Sequence, residues 1–380
     1  MVRGIALLIL TPALALGQLK TAPEWMDHMV LQRGKPLTLE GKATPGQTVH
    51  ITFSGQKLAA RAGGDSSWRV QLRPMKANAV PGDMFITSGK ERIKLRDLLV
   101  GDVWLCLGQS NMEFPMNGEA HYKSLQPFVA RPLIRQYNPR YIGKGIYGTA
   151  FPDSLARLID GGTFYTGYWE QCDSTSIRSM SAVAFYFAER VTKQTSVPIG
   201  LVHLAIGGAP LETFIPKEAL AADSVFVQKV RGNWLENKHL PDWARERGRQ
   251  NRGADSSVEG PAHGYKPGFA FDKGLRRLTE NPIAGFLFYQ GETNAQEMAR
   301  VEEYGRLFRV ILEAYRHYWP NAPVILYSSL PSTALNTVLT YGLLSATGSG
   351  VCCRKFRIPA WLCPAMWGLC MTYTPLIRRW

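Results

Sequence analysis

Residues 101–116 decide the fold, and they read GDVWLCLGQSNMEFPM. The run Val103–Leu107 is continuously apolar, which is typical of a strand buried on both faces of a parallel sheet. Gly108-Gln109-Ser110-Asn111-Met112 follows it directly. A serine at the carboxyl end of such a strand lies where open α/β sheets bind ligands, and the N–H groups after it can face a developing oxyanion. On these residues alone, a turn serine that caps a helix remains the alternative.

The rest of residues 101–332 repeats this pattern of buried strand and amphipathic helix. Apolar runs of strand length occupy Ile199–Ala205, Ile283–Tyr289 and Val324–Ser329, and the stretches Ala182–Gln194 and Glu302–Tyr318 have helical spacing. Buried strands that alternate with helices predict an α/β fold with a three-layer parallel sheet.

Residues 18–100 have a different pattern. Short alternating runs, such as Thr48–Ser54 and Met84–Ser88, are separated by turns rich in Gly, Pro and Ser. Closely spaced strands without helices predict a small N-terminal β-sandwich domain.

Length and charge limit the class of protein. A chain of 380 residues suggests two or three domains, and 45% hydrophobic with 19% charged residues is ordinary globular composition, which excludes collagen and coiled coil. The net charge of +14 is unevenly placed, because residues 333–380 hold five basic residues and no Asp, Glu or His. Residues 229–252 carry seven basic and three acidic side chains without regular aromatic interleaving. We therefore interpret residues 221–270 as a solvated polar insertion and expect no nucleic-acid partner.

The N-terminus reads MVRGIALLILTPALALGQ, a basic residue followed by an apolar run too short to span a bilayer. It predicts a signal peptide over residues 1–17, a secreted or periplasmic location, and no membrane span. Export permits disulfides. Cys106 and Cys172 could therefore pair, although Cys106 lies in the apolar run VWLCLG and suits a buried core position.

Two further motifs end strands of the predicted sheet. Residues 205–210 read AIGGAP, and residues 288–295 read FYQGETNA. Because parallel strands deliver their carboxyl ends to one edge of a sheet, both motifs should meet the Ser110 loop there.

Together these motifs resemble the sialate O-acetylesterases, carbohydrate esterases of the SGNH-hydrolase superfamily. The resemblance rests on GDVWLCLGQSNMEFPM, AIGGAPLETF and FYQGETNA, and on the run Asp27–Arg33 in the β-rich part, and it covers roughly residues 20–332. It implies an SGNH-type sheet and removal of O-acetyl groups from sialic acid or related sugars through an acyl-enzyme, with no metal or cofactor. Acetyl-sialate and acetyl-xylan stay equally open on the residues, as does the oligomeric state.

The resemblance also implies roles for single residues. Ser110 would be the nucleophile, and its N–H, the Gly208 N–H and the Gln290 side chain would form the oxyanion hole. Gln109 and Asn111 would hold the serine loop.

Further implied roles concern the pocket. Glu292 and Asn294 would order it, and Glu292 could also orient a histidine. An arginine near the cleft would favour the carboxylate of sialate. Candidates without positional proof are Arg135, Arg140 and Arg178.

The catalytic base is the missing part, because the family supplies it from a late Asp-x-x-His or D-x-H-P segment. The last histidine, His317, lies before the last predicted strand. The base is therefore unknown, and the other histidines considered substitute poorly: His28, His50, His121, His203 and His239.

Residues 333–380 predict a change of reading frame near residue 333. In the shifted frame, each codon starts with the last base of a codon of the given frame. Read in this way, residues 366–375 can encode V-G-x-x-[H/Y]-D-I-H-P, which resembles the family's catalytic segment. We assign no disulfide or zinc site to the four cysteines of this tail. A genuine divergent tail remains the alternative, and with it a catalytically inactive esterase-like or carbohydrate-binding protein.

Overall fold

The computed structural model describes residues 18–327. The predicted signal peptide, residues 1–17, and the predicted out-of-frame tail, residues 333–380, lie outside the described residues.

Strands dominate the first third of the described chain, and helices join them later. The strands are β1 Lys20–Thr21, β2 Val30–Gln32, β3 Leu37–Lys42, β4 Thr48–Phe53, β5 Gln56–Arg61, β6 Ser67–Leu72, β7 Asn78–Ser88, β8 Glu91–Gly108, β9 Arg131–Tyr137, β10 Arg140–Tyr141, β11 Tyr165–Thr166, β12 Trp169–Cys172, β13 Ile199–His203, β14 Gly285–Tyr289 and β15 Val324–Tyr327. The α-helices are α1 Ser110–Glu113, α2 Asp153–Asp160, α3 Ala182–Thr195, α4 Lys217–Ala222, α5 Asp242–Arg252 and α6 Met298–Tyr318.

A mixed sheet forms the centre of the α/β part. Its strands lie in the order β12-β9-β13-β8-β14-β15; β9, β13, β8, β14 and β15 are parallel, and β12 runs antiparallel to β9 at the edge. The prediction of a parallel sheet is correct for the strands that carry the motifs and wrong for this edge. The short sequence WEQC of β12 has no apolar run, so its pattern did not reveal an edge strand.

Helices cover both faces of this sheet, which gives three layers. Because successive strand residues point to opposite faces, Leu105 and Leu107 pack with α6, whereas Trp104 and Cys106 pack with α3. Helix α3 begins where the Ser181 hydroxyl accepts a hydrogen bond from the Ala184 N–H, at 3.3 Å. The α/β architecture is thus as predicted.

Strand β8 joins the two parts of the chain. Its first half pairs with β7 in an antiparallel sheet, and its second half pairs with β13 and β14. Residues 18–100 also contain the three-stranded sheet β1-β3-β6, which shares one hydrophobic core with β4 and β7. The finer assignment to a β-sandwich domain stays a prediction.

The insertion over residues 221–270 is not simply solvated. Phe226, Trp234, Leu235 and Leu240 are buried in the same cluster as α6. These apolar residues are interspersed among the charges, so the segment packs one face on the core. Among residues 18–327, no helix has the length and apolar character needed to cross a membrane.

Candidate active site

The Ser110 loop begins at a glycine that no other residue could replace without displacement. Gly108 has φ +133°, and a Cβ there would lie 1.9 Å from the Tyr289 carbonyl oxygen. Strand β8 can therefore end flush against β14. Ser110 follows as the first residue of α1, and its side chain is exposed.

Backbone hydrogen bonds bring the three motif loops together. The Ile206 N–H donates to the Gly108 carbonyl, and the Gln109 N–H donates to the Tyr289 carbonyl, both at 3.0 Å. The Thr293 hydroxyl donates to the Gly208 carbonyl, also at 3.0 Å. The predicted meeting of AIGGAP and FYQGETNA with the Ser110 loop at one sheet edge is thus present in the structure.

Two backbone N–H groups of these loops have no hydrogen-bond acceptor among the described residues. Within residues 18–327, neither the Ser110 N–H nor the Gly208 N–H donates to a protein acceptor. Gly208 has φ +72°, a conformation that favours glycine. Both N–H groups are therefore available to an oxyanion, as an acyl-transfer site requires.

Two tyrosines fix the two peptide groups that flank Gly207. The Tyr265 hydroxyl donates to the Gly207 carbonyl at 2.6 Å, and the Gly207 N–H donates to the Tyr141 hydroxyl at 3.2 Å. Burial raises the pKa of Tyr265, so its hydroxyl stays protonated and can donate. In a trans peptide the N–H points opposite to the C=O, so the Gly208 N–H points away from Tyr265. Sequence patterns did not single out either tyrosine.

The Gln290 side chain lies behind the loops. It is fully buried, and its Nε2 donates to Asn294 Oδ1 at 2.8 Å, to the Ala209 carbonyl at 3.2 Å and to Gln109 Oε1 at 3.3 Å. Its Oε1 accepts from the Tyr304 hydroxyl at 2.7 Å. The structure thus brings Gln290, Gln109 and Asn294 together as a support for the loops, and the oxyanion role of Gln290 stays a prediction.

Asn111 and Glu292 form a second contact between the same loops. Asn111 Nδ2 donates to Glu292 Oε1. The other carboxylate oxygen, Glu292 Oε2, is buried and has no hydrogen-bond partner among the described residues. A buried carboxylate oxygen without a donor is a natural place for a further N–H, such as that of an imidazole.

A buried ion pair extends this support into the insertion. Asn294 Nδ2 donates to Glu212 Oε2 at 3.0 Å, and Lys229 Nζ donates to Glu212 Oε1 at 2.8 Å and to Glu303 Oε1 at 2.6 Å. Burial alone would raise the pKa of Glu212, but Lys229 and Asn294 outweigh it and hold that pKa below its ordinary value. Glu212 lies within the quoted motif AIGGAPLETF, which was the available signal, whereas nothing local marked Lys229.

Two of the histidines are buried and fully used in hydrogen bonds. His203 Nδ1 contacts Asn138 Oδ1 at 2.8 Å and Nε2 contacts the Met112 carbonyl at 3.2 Å, and burial lowers the pKa of His203 to about 4. His263, which sequence reasoning missed, accepts from the Tyr265 N–H at 3.0 Å, and burial lowers its pKa to about 3. His203 therefore contacts the Met112 carbonyl of α1, and His263 contacts the backbone of Tyr265.

The other histidines are partly or fully exposed. His121 Nδ1 lies 3.0 Å from Glu119 Oε1, a carboxylate that also accepts from the Tyr186 hydroxyl at 2.8 Å. His28 pairs with Asp97 in the strand-rich part. The structure places the remaining three on exposed positions of β4, the insertion and α6: His50, His239 and His317.

The predicted arginine candidates are not joined to the site. Arg135 is buried and bonds to Asp97 Oδ1 at 3.2 Å, whereas Arg140 and Arg178 are exposed. Within residues 18–327, no hydrogen bond or ion pair links any of the three to the motif loops.

Cys106 and Cys172 do not pair. Both are buried, free thiols in the cluster under α3, and burial raises the pKa of each. The interpretation of Cys106 as a core residue is correct. No group of three or more His, Cys, Asp or Glu side chains that could hold a metal ion occurs in the described part of the chain.

Comparisons with known proteins point to one family. No family model matches the chain. The rat sialate O-acetylesterase is 27% identical over 300 residues, covering 71% of this chain and 51% of its own length. The human sialate O-acetylesterase is 24% identical over 316 residues, covering 76% of this chain and 51% of its own length. The chain thus spans about half the length of these relatives.

A solved structure shares the fold. The carbohydrate acetylesterase XAC1771 from Xanthomonas citri superposes with a TM-score of 0.58 at 22% identity, over 80% of this chain and 58% of that one. By its sequence matches, the chain is similar to the sialate O-acetylesterases over about three quarters of its own length.

Proposed function

We propose that this chain is an exported carbohydrate esterase that removes O-acetyl groups from sialic acid or a related acetylated sugar by a serine acyl-enzyme mechanism. The observation that supports this most is the exposed Ser110 at a strand end, in a loop that hydrogen bonds join to Gly208, with both N–H groups open. A protein that only bound carbohydrate would need neither feature, so the binding-only alternative is not favoured.

In the proposed reaction, Ser110 Oγ attacks the acetyl carbonyl carbon and a base accepts the serine proton. The oxyanion of the tetrahedral intermediate accepts hydrogen bonds from the Ser110 and Gly208 N–H groups. The C–O bond to the sugar then breaks, and the base returns the proton to the leaving alcohol. Water, deprotonated by the same base, attacks the acetyl-serine and releases acetate and the free serine.

Donor geometry is the largest contribution of this scaffold to the proposed reaction. Tyr265 holds the Gly207 carbonyl, which belongs to the same peptide group as the Gly208 N–H, and Tyr141 holds the preceding peptide group. The Gly208 N–H is therefore oriented before charge develops. Removing one such donor from an oxyanion hole typically lowers kcat by about 10²–10³.

For the base, we propose the histidine that the other reading frame encodes after residue 332. Glu292 Oε2, buried without a donor among the described residues, would orient that imidazole. His121, held by Glu119, is the competing candidate within the described chain. A general base contributes about 10²–10⁴ in rate, so replacing the histidine that acts as the base should lower the rate by a factor of that size.

The substrate preference is proposed from the relatives, which are named for sialate. An acetylated sugar acid and an acetylated neutral sugar are both compatible with an acetyl-ester site.

The test compares acetate release by four proteins. These are the chain as written, the chain with residues 333–380 replaced by the other reading frame, and the Ser110→Ala variant of each. We expect the frame-restored chain to hydrolyse O-acetylated N-acetylneuraminic acid, and Ser110→Ala to lower its rate at least about 10³-fold. Hydrolysis that Ser110→Ala leaves unchanged would contradict the nucleophile assignment.

A further inference from the structure

Glu113 ties the helix that carries Ser110 to the double-glycine loop, residues 205–210. It is the last residue of α1, the helix that Ser110 begins, and its side chain is 12% exposed. A Cβ on Gly207 would lie 2.8 Å from Glu113 Oε2, so the carboxylate packs directly against this glycine. Glu113 therefore contacts the residue whose carbonyl shares a peptide group with the Gly208 N–H.

The Tyr141 hydroxyl joins Glu113 to the backbone of this loop. It donates to Glu113 Oε2 at 3.3 Å and accepts from the Gly207 N–H at 3.2 Å. Burial, together with the nearby charge of Glu113, raises the pKa of Tyr141, so the hydroxyl keeps its single hydrogen. Because that hydrogen points to Glu113, a lone pair of the hydroxyl oxygen is left to face the Gly207 N–H.

Lys144 offsets the charge that Glu113 brings to the loop. Lys144 Nζ forms an ion pair with Glu113 Oε1 at 2.7 Å, and it lies 5.7 Å from the centroid of the Tyr141 ring. A carboxylate beside Gly207 without a counterion would repel a developing oxyanion. Paired with Lys144, Glu113 can hold the Tyr141 hydroxyl while adding less negative charge to the site.

We propose that Glu113 is a positioning residue for acetyl-ester hydrolysis, which acts through Tyr141 to hold the double-glycine backbone in register with Ser110. This inference rests on the proposed function and adds to it a residue that had no assigned role. Tyr141 holds the peptide group before Gly207, whereas Tyr265 holds the one after it. A Gly208 N–H fixed in this way is oriented before charge develops, which is what makes an oxyanion donor effective.

Steady-state kinetics of acetate release from O-acetylated N-acetylneuraminic acid test this. The protein is the full-length chain in whichever form, as written or frame-restored, shows Ser110-dependent hydrolysis. Glu113→Ala should lower kcat about tenfold at nearly constant KM, because the link acts on the developing oxyanion and not on the bound sugar. Glu113→Met fills the same space and serves if Glu113→Ala fails to fold.

A conservative variant separates positioning from proton transfer. Glu113→Gln keeps an oxygen that can accept from the Tyr141 hydroxyl, so it should recover most of the kcat that Glu113→Ala loses. The pH dependence of kcat should keep its shape in both variants, because a positioning residue exchanges no proton with the substrate.

A double-mutant cycle tests whether Glu113 acts through Tyr141. Tyr141→Phe removes the hydroxyl and should also lower kcat about tenfold. The double variant Glu113→Ala with Tyr141→Phe should be no slower than the slower single variant, because both changes break the same link. Independent effects would instead multiply to about 100-fold.

Glu189→Ala is the matched control. The Glu189 side chain is 13% exposed and pairs with Arg131 at 2.9 Å, but it lies on α3, outside the motif loops. Its replacement removes a comparable ion pair and should leave kcat unchanged. Circular dichroism and the melting temperature report on folding for every variant.

Three results would overturn the positioning role. They are a kcat of Glu113→Ala within about twofold of the unaltered chain, losses that multiply in the double variant, and a Glu113→Gln variant that is as slow as Glu113→Ala with an altered pH profile. Ser110→Ala, measured in parallel, decides on the proposed function. No acetate release, or release that Ser110→Ala leaves unchanged, refutes the esterase proposal and this inference with it, whereas Ser110-dependent release that Glu113→Ala leaves unchanged refutes the positioning role alone.

Discussion

Replacing Lys229 by methionine should destabilise the folded chain by about 3–5 kcal/mol at neutral pH. The Lys229 side chain is 2% exposed and its partner Glu212 is fully buried. Lys229 Nζ donates to Glu212 Oε1 at 2.8 Å, to Glu303 Oε1 at 2.6 Å and to the His239 carbonyl at 2.8 Å. Methionine fills nearly the same volume, so the cost comes from the lost charge and not from a cavity.

The magnitude follows from what the variant leaves behind. Glu212 would keep the hydrogen bond from Asn294 Nδ2 at 3.0 Å, but its charge would have no counterion in the interior. Breaking a buried pair by removing one partner costs about 3–5 kcal/mol, several times the value of an exposed ion pair. Because Asn294 also contacts Gln290, we expect the motif loops to loosen together with the ion pair.

The effect should depend on pH with a defined sign. The pKa of Glu212 is held below its ordinary value of 4.5, so the stabilisation from this group is present above pH 4.5 and is lost as the pH falls through the lowered pKa. Without Lys229, burial would raise the pKa of Glu212, and protonation would relieve the variant on acidification. The difference in unfolding free energy between the two proteins should therefore shrink as the pH falls toward 4.

Urea unfolding, followed by tryptophan fluorescence at pH 7 and pH 4.5, provides the assay. Lys217→Met is the matched control, because Lys217 pairs with Glu259 at 2.6 Å on the surface and should cost less than about 1 kcal/mol. The double variant Glu212→Gln with Lys229→Met should recover part of the loss. A cost below about 1 kcal/mol for Lys229→Met, or one that grows on acidification, would refute the reasoning.

Three other predictions follow from the site. Tyr265→Phe should lower kcat for an acetyl ester about tenfold at nearly constant KM, because the Gly207 carbonyl loses its donor; an unchanged kcat would contradict this positioning role. His121→Ala should leave steady-state acetate release by the frame-restored chain within about twofold, whereas a loss near 10²-fold would make His121 the base. Cys106 and Cys172 should resist thiol labelling in the folded chain and react in urea, and a disulfide-linked peptide in mass spectrometry would disagree with the free thiols.

The part of the fold that the sequence predicted is the part that long apolar runs encode. The predicted strand Ile283–Tyr289 is found as Gly285–Tyr289, and the predicted strand Ile199–Ala205 is found as Ile199–His203. Such runs suit strands buried on both faces, so their pattern is unambiguous. Strand β9 was missed because its sequence RPLIRQY mixes charged and apolar residues, as suits a strand beside the sheet edge.

The motifs likewise located the loops of the site but not the residues that hold them. Ser110, Gly208 and Glu292 belong to local sequence patterns, and parallel-sheet topology alone brings their strands to one edge. Lys229 and Tyr265 come from the insertion, where nothing local distinguishes a basic or aromatic side chain that packs on the site from one that faces solvent. Their positions depend on contacts over tens of residues, which periodicity does not encode.

The surroundings of Gln290 bear on how many donors an oxyanion would meet. Its amide carries two hydrogens, and three buried acceptors already lie within 3.3 Å of Nε2. If Gln290 Nε2 donated to an oxyanion, Asn294 Oδ1 or the Ala209 carbonyl would lose the hydrogen bond that it accepts from Gln290. Part of the gain would then be offset by an acceptor left unsatisfied in the interior. The Ser110 and Gly208 N–H groups carry no such cost, because neither has an acceptor among the described residues. We therefore expect these two N–H groups to supply most of the oxyanion stabilisation, and Gln290 to act mainly by fixing the backbone that presents the Gly208 N–H.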